Sequence, residues 1–220
     1  VSTVTELLDL DPDALLTTTR VVRRRLDLTR PVDIAVVREC LTIALQAPSG
    51  GNAQRWHWLV ITDPEQRAAI GELYRRAVVG YQDAAVPVAQ QYPDDPDRAA
   101  TQQRVADSTA FLGEHMGEVP VLVIPCIQLP GDDLPEGNQA WLWGSLLPAA
   151  WSYMLACRAR GLGTAWTTLH FAYEDEVGKL LGLPPNVRTG CLIPTAYYTG
   201  TTFKPAAREP LEKVMHLDRW

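Results

Sequence analysis

None of the motifs that usually carry side-chain chemistry occurs in these 220 residues. The four cysteines, Cys40, Cys126, Cys157 and Cys191, form no C-x-x-C pair. Cys40 and Cys157 fall in helical patterns and Cys126 and Cys191 in apolar, strand-like runs, so all four read as small buried residues in a reducing, cytoplasmic setting. His57, His115, His170 and His216 show neither H-x-x-x-H nor H-E-x-x-H spacing, which gives no support to a metal site. There is no G-x-S-x-G and hence no advertised serine nucleophile. No apolar run approaches the roughly 20 residues that span a bilayer, and residues 1–11 are too mixed and acidic for a secretory leader. Repeats, low-complexity stretches and long linkers are lacking too. The balance of Lys+Arg 20 against Asp+Glu 26, a net charge of −6, makes a general nucleic-acid or membrane-surface binder a poor candidate.

What is present reads as one domain of alternating helices and a few short strands. Asp33 caps a helix whose apolar positions Ile34, Val37, Leu41, Ala44 and Leu45 recur at helical spacing, and Pro48 with Gly50 and Gly51 stops it. Residues 56–61 are aromatic or β-branched and predict a strand. Asp63-Pro64-Glu65-Gln66 is a helix start, with a run expected to about Val79. Residues 90–98, with two prolines and three aspartates, look like an insertion, followed by a helix over 98–114. Residues 119–127, almost wholly apolar, predict a central strand covered on both faces. A long helix over 141–160 should end at Gly161 with positive φ. Strands are expected over 164–169 and 190–198, and a short helix over 174–181. Helices outnumber strands, and few strands are separated by one helix of crossover length, which favours α+β. The tail from 199 to 220 carries Phe203, Leu211, Val214, Met215 and Trp220 and must be buried on this domain or on a partner.

Three segments hold candidate chemistry. In Thr17 to Asp27, a helical reading lets Arg20, Arg23 and Arg24 converge on one anion while Arg25 points to solvent. The planar guanidinium suits phosphate, although a plain solvated basic face fits the same residues. In Ala47-Pro48-Ser49-Gly50-Gly51-Asn52-Ala53-Gln54-Arg55-Trp56, small residues permit close backbone approach to a ligand, and Ser49, Asn52 and Gln54 offer donors and acceptors. Ordinary turn chemistry would look similar. It follows a helix, so it is not a dinucleotide fingerprint. Gly161-Leu162-Gly163-Thr164, with Trp166 to His170 after it, reads first as a helix cap feeding a strand.

Taken together, the arginine cluster, APSGGNAQRW, GLGT and the C-terminal FKPAAREPLEKV resemble the FMN-dependent nitroreductase family in order and spacing, from about residue 17 to 220. APSGGN-x-Q-x-W is the most specific piece. The resemblance implies a mostly antiparallel sheet flanked by helices, in an intertwined homodimer whose C-terminal tail, about 199–220, is exchanged onto the partner. The whole chain, 1–220, would be one FMN-binding domain, with 80–114 as a lid or insertion. The family's phosphate motif falls on Arg20, Val21 and Arg23, with Arg24 beside them. Val21 stands where the family has serine, so only its backbone N–H is left for the phosphate. Arg208 matches the C-terminal phosphate-binding arginine. Pro48, Ser49, Gly50 and Asn52 match the loop that packs on the flavin ring, with Gln54 just beyond, and backbone near Thr168 and Leu169 falls at flavin N5. Pro194-Thr195-Ala196-Tyr197 departs from the glycine that commonly precedes this tyrosine.

A flavin performs its own hydride chemistry, which accounts for the missing nucleophile. The expected function is NAD(P)H-dependent, ping-pong reduction of nitroaromatics, quinones or similar electron-poor small molecules. An aromatic slot for two flat substrates would draw on Tyr81, His115, Trp141, Trp143 and Trp166. A same-fold alternative oxidises or dehalogenates a specific metabolite without a nicotinamide, with 81–98 shielding the site. A non-catalytic module using the arginines on an acidic partner is the alternative from another class. No nucleic-acid, membrane or metal partner is expected.

Overall fold

A computed structural model describes residues 6–87 and 91–220. Residues 1–5 and 88–90, the latter part of the segment read above as a lid or insertion, lie outside the described residues. Among the described residues, six α-helices surround a five-stranded sheet. The helices are α1 (Pro12–Thr18), α2 (Ile34–Ala44), α3 (Pro64–Ala84), α4 (Pro96–His115), α5 (Ala140–Ala159) and α6 (Glu174–Leu181). The strands are β1 (Trp56–Ile61), β2 (Val121–Gln128), β3 (Leu162–Thr164), β4 (Val187–Thr189) and β5 (Ile193–Tyr197). They lie in the order β1-β2-β5-β3, β4 also pairs with β2, and every pairing between them is antiparallel.

The helix starts follow their capping residues. Asp33 accepts from Ala35 N at 2.9 Å, Asp63 from Gln66 N at 2.9 Å and Asp95 from Arg98 N at 2.9 Å, each satisfying a first-turn N–H. Proline stands in the first turn of α3 and of α4, where its missing N–H costs no intrahelical bond. α3 continues five residues beyond the expected Val79, since no breaker occurs before Pro87. Gly161 takes φ +74° after α5, as its position demands.

β2 is the central strand, buried from Val121 to Ile127. Its side chains alternate between two cores. Leu122, Ile124 and Cys126 face Ile70, Tyr74 and Val78 of α3. Val121 and Val123 join Val37 and Cys40 of α2 and Tyr153, Met154 and Cys157 of α5 on the other side. The result is the expected α+β layering of helices on both faces of an antiparallel sheet. All four cysteines are buried and free.

Three local expectations are corrected, and one strand, β4, lies outside those expected. Residues 19–27 are not helical: α1 ends at Thr18, Val21 bridges Thr164 in parallel and Leu26 bridges Tyr198 antiparallel. The hydroxyls of Thr17, Thr18 and Thr19 each donate to the carbonyl four residues back at 2.6 Å, and the β-branched Val21 and Val22 then suit an extended arm beside β3. Residues 164–169 are not one strand, because β3 ends at Thr164 and a 3-10 turn opens at Leu169. β4, three residues long after Pro184 and Pro185, lacks an alternating signal. Finally, Arg25 does not point to solvent. Its Nε donates to Thr199 O at 2.7 Å, Nη1 donates to Thr202 O at 2.9 Å, and its Cζ lies 4.1 Å from the Phe203 ring centroid. It ties down the start of the tail. Beyond Pro210, Leu211, Val214, Met215, Leu217 and Trp220 are exposed, Trp220 completely.

Candidate functional site

The arm that follows α1 carries its arginines along a cleft of about 450 Å³ against α4. Arg20, Arg23, Arg24 and Arg25 line one wall, and Arg104 and Ser108 the other. Among the described residues no carboxylate lines this cleft. Arg23 donates from Nη1 to Ser108 Oγ at 3.1 Å, while its buried Nε has no partner. Burial lowers the pKa of this guanidinium, and the neighbouring Tyr74 phenol works against that shift. A desolvated cation with a spare donor and no anionic neighbour is a receptor for an anion. Arg20 donates to Lys204 O at 3.1 Å, so the arm and the tail meet here. Arg24 is exposed, 6.0 Å from the Phe111 ring. Val21 is exposed. Arg208 does not line this cleft but a neighbouring one, with Arg98 and the carboxylates of Asp95, Asp97 and Glu209; Thr101 belongs to both.

Thr168 and Leu169 occupy a short segment held at both ends. On one side Thr167 exchanges backbone hydrogen bonds with Leu192 at 2.8 and 3.1 Å, and its Oγ1 is bonded to Tyr74 Oη at 2.9 Å. On the other, buried His170 is bonded through Nε2 to Thr189 Oγ1 at 3.2 Å, and burial pulls its pKa down to about 4. Thr168 itself is exposed between these anchors.

The Pro48–Gln54 loop lies elsewhere, at the start of α5. Gly51, Asn52 and Gln54 take φ of 57°, 53° and 48°, a left-handed conformation that costs the two non-glycine residues energy. Three hydrogen bonds that involve side chains hold it, Gln54 N to Ser49 Oγ at 2.9 Å, Gln54 Nε2 to Asn52 Oδ1 at 2.8 Å and Gly50 N to Ser145 Oγ at 3.0 Å, beside two backbone bonds, Asn52 N to Ser49 O and Ala53 N to Gly50 O. Ser49, Gly50 and Trp141 line a cleft of about 400 Å³ that has no lining residue in common with the arginine cleft. One chain therefore spreads the sequence-predicted residues over three clefts, one for the arm arginines, one for the Ser49 loop and one for Arg208.

The five aromatic candidates do not form one slot. Tyr81 lines an apolar cleft of about 240 Å³ between the end of α3 and α4, bordered by Gln82, Gln102, Val105 and Thr109. Trp141 lies at the loop cleft. Trp143 packs into the core beneath the loop, with Nε1 donating to Gln139 Oε1 at 2.9 Å. Trp166 packs on the α2–α5 core, and His115 pairs with Glu118 at 2.9 Å. Aromatic composition does not say which way a ring points. Tyr74, Arg104 and Ser108 were not legible as site residues. Ser108 lies four residues after Arg104 on one helix face, but nothing local marks that face as lining a cleft. Among the described residues no group of three or more His, Cys, Asp or Glu could hold a metal ion, and no helix is long and apolar enough to cross a membrane.

The model of the nitroreductase family matches residues 17–197, from the start of the arginine segment to the end of β5. The chain belongs to the nitroreductase family. It is thus a flavin oxidoreductase in class. It is 30% identical over 187 residues to an NADH dehydrogenase of Thermus thermophilus, covering 84% of this chain and 86% of that protein. It is 27% identical over 194 residues to an iodotyrosine deiodinase of Drosophila melanogaster, covering 83% of this chain but 61% of the deiodinase. A mutant of NfnB, an FMN- and NADPH-dependent nitroreductase from Sphingopyxis sp. strain HMH, has the same fold, with a TM-score of 0.71, 20% identity and coverage of 96% of this chain and 100% of that one. Arg208 and the exposed tail lie outside the residues that the nitroreductase family model matches.

Proposed function

We propose that this nitroreductase-family chain binds FMN and uses NAD(P)H to reduce electron-poor small molecules, nitroaromatics and quinones among them, in a ping-pong cycle. The observation that carries the reading is the carboxylate-free arginine cleft with the orphaned Nε of Arg23. These residues fit a phosphomonoester, which offers several acceptor oxygens and about two negative charges. FMN, when bound, supplies the hydride acceptor and donor.

The chain's own residues bind and orient. Arg20, Arg23 and Arg24, with Arg208 from the tail, hold the phosphate, and Val21 contributes only backbone. The anchored Thr168–Leu169 segment offers its backbone at the reactive edge of the ring. Pro48, Ser49, Gly50, Asn52 and Gln54 complete the site from a second copy of the chain. Two features support that homodimeric arrangement: the loop cleft and the arginine cleft share no residue, and the tail leaves its apolar side chains uncovered. The strained loop supports a binding role, since left-handed Asn52 and Gln54 persist only where the surroundings hold them.

The similarity to a deiodinase favours a second reading, dehalogenation or oxidation of a metabolite without a nicotinamide donor. The deciding experiment is an anaerobic absorbance titration of the purified protein with NADPH and then NADH. Flavin bands that bleach within seconds support the reductase. A bound flavin that neither nucleotide bleaches supports the second reading. A colourless protein that takes up no added FMN overturns both and leaves a non-catalytic binding module.

A further inference from the structure

We propose that Arg104 is an additional phosphate-binding residue of the flavin site, delivered by α4, and that it supplies the contact that Val21, lacking a hydroxyl, cannot make. The inference rests on the FMN reading above.

The cleft gathers five guanidiniums; Arg20, Arg23 and Arg24 are already assigned to the phosphate, and of the two that are not, Arg25 and Arg104, only Arg104 has its head free for a ligand. Arg25 is spent on Thr199 O and Thr202 O. Arg20 donates to Lys204 O and Arg23 to Ser108 Oγ. Arg104 makes one bond, from Nη2 to Thr101 Oγ1 at 2.8 Å, to a residue of its own helix that also lines the cleft. Its exposed head is thus held on the cleft side of α4 with donors left over. Ser108, the other candidate to replace a serine, is not available. Its Oγ accepts from Arg23 and gives its proton to Val105 O at 2.9 Å. Like charges in a cleft without a carboxylate raise the return on an anion, and a phosphate can accept from the arm and from α4 at once.

A consequence concerns α4. Only Leu112 and Gly113, near its C-terminal end, are buried, and clefts flank its first three turns. A phosphate bridging Arg23 and Arg104 would fasten that half of α4 to the arm, coupling cofactor loading to its order.

The test compares FMN with riboflavin, which has the same ring and no phosphate. Apoprotein, Arg104→Gln and Arg104→Lys are titrated with each flavin by fluorescence quenching. Arg104→Gln should weaken FMN about tenfold or more and leave riboflavin unchanged, with Arg104→Lys between. Hydrogen exchange over residues 96–108 should slow on adding FMN to the unsubstituted chain and not on adding riboflavin. Unchanged FMN affinity in Arg104→Gln, or equal losses for both flavins, overturns the proposal. Because Arg104 is exposed, loss of fold is not the expected cause of either result. Failure of the underlying reading shows separately, in an unsubstituted chain that binds neither flavin, and takes this proposal with it.

Discussion

Gly163 and Val22 are so close that a Cβ on the glycine would lie 3.1 Å from both Cβ and Cγ1 of the valine, with Leu26 Cδ2 at 3.2 Å. The glycine lets β3 lie flat against the arm that carries Arg20 and Arg23. Gly163→Ala should push this arm outward, destabilising the fold by about 1–3 kcal/mol through overpacking. FMN affinity should fall with it. Urea unfolding and a flavin titration read the two effects, and the idea fails if stability drops while affinity is untouched.

Arg23 behaves differently, because it is a half-buried cation, its Nε wholly covered, without a carboxylate. Arg23→Met should leave the apoprotein at least as stable, since it removes an uncompensated charge at the cost of one bond to Ser108. It should nonetheless weaken FMN roughly 10–100-fold, the worth of a charge-assisted hydrogen bond or two. Thermal melts with and without FMN would show the separation as a lost ligand-induced rise in Tm.

The Tyr74–Thr167 hydrogen bond is buried and immediately precedes Thr168–Leu169, the segment proposed to meet the flavin ring. Tyr74→Phe leaves the Thr167 hydroxyl unsatisfied and should cost about 1–2 kcal/mol. The double change Tyr74→Phe with Thr167→Val should recover much of that, as both polar partners are then gone. If the bond orients Thr168, the rate of flavin bleaching by NAD(P)H falls in Tyr74→Phe while the FMN dissociation constant hardly moves. Equal changes in both would assign Tyr74 to packing alone.

These elements also show what local sequence can and cannot carry. Asp63-Pro64 set the start of α3 because capping is a contact between near neighbours, and the apolar run of β2 marked a strand buried on both faces. Gly161 was legible for the same local reason. The arm from Thr19 to Asp27 is not, since the spacing of its arginines suits a helix, whereas pairing of Val21 with Thr164 and of Leu26 with Tyr198, far along the chain, holds it as two bridges around a turn at Arg23–Leu26. Arg25 finds its partners more than 170 residues away, beyond the reach of local spacing. Of the candidate site, Arg20, Arg23 and Arg24 do come together, whereas the Ser49 loop lies at a separate cleft. Trp143 and Trp166 went to the core, a choice that periodicity could not make for them.

His170 sets an acid limit. Its folded pKa of about 4 lies below the ordinary 6.5, so between these values the unfolded chain holds a proton that the folded chain does not. Stability from this group is complete above pH 6.5 and is lost as pH falls toward 4, by up to about 3 kcal/mol. Denaturation midpoints across that range should fall in the natural chain and flatten in His170→Gln. A slope that survives the substitution would have to come from other groups.

The exposed Leu211, Val214, Met215, Leu217 and Trp220 bear on what a melting curve of this protein measures. If those side chains sit on a second molecule, as proposed above, unfolding releases two chains for every native particle, and the midpoint becomes a property of the solution as well as of the sequence. Tenfold dilution should lower the apparent Tm of the full chain, and removal of residues 210–220 should lower it further at any one concentration. Stabilities of variants would then be comparable only at matched protomer concentration.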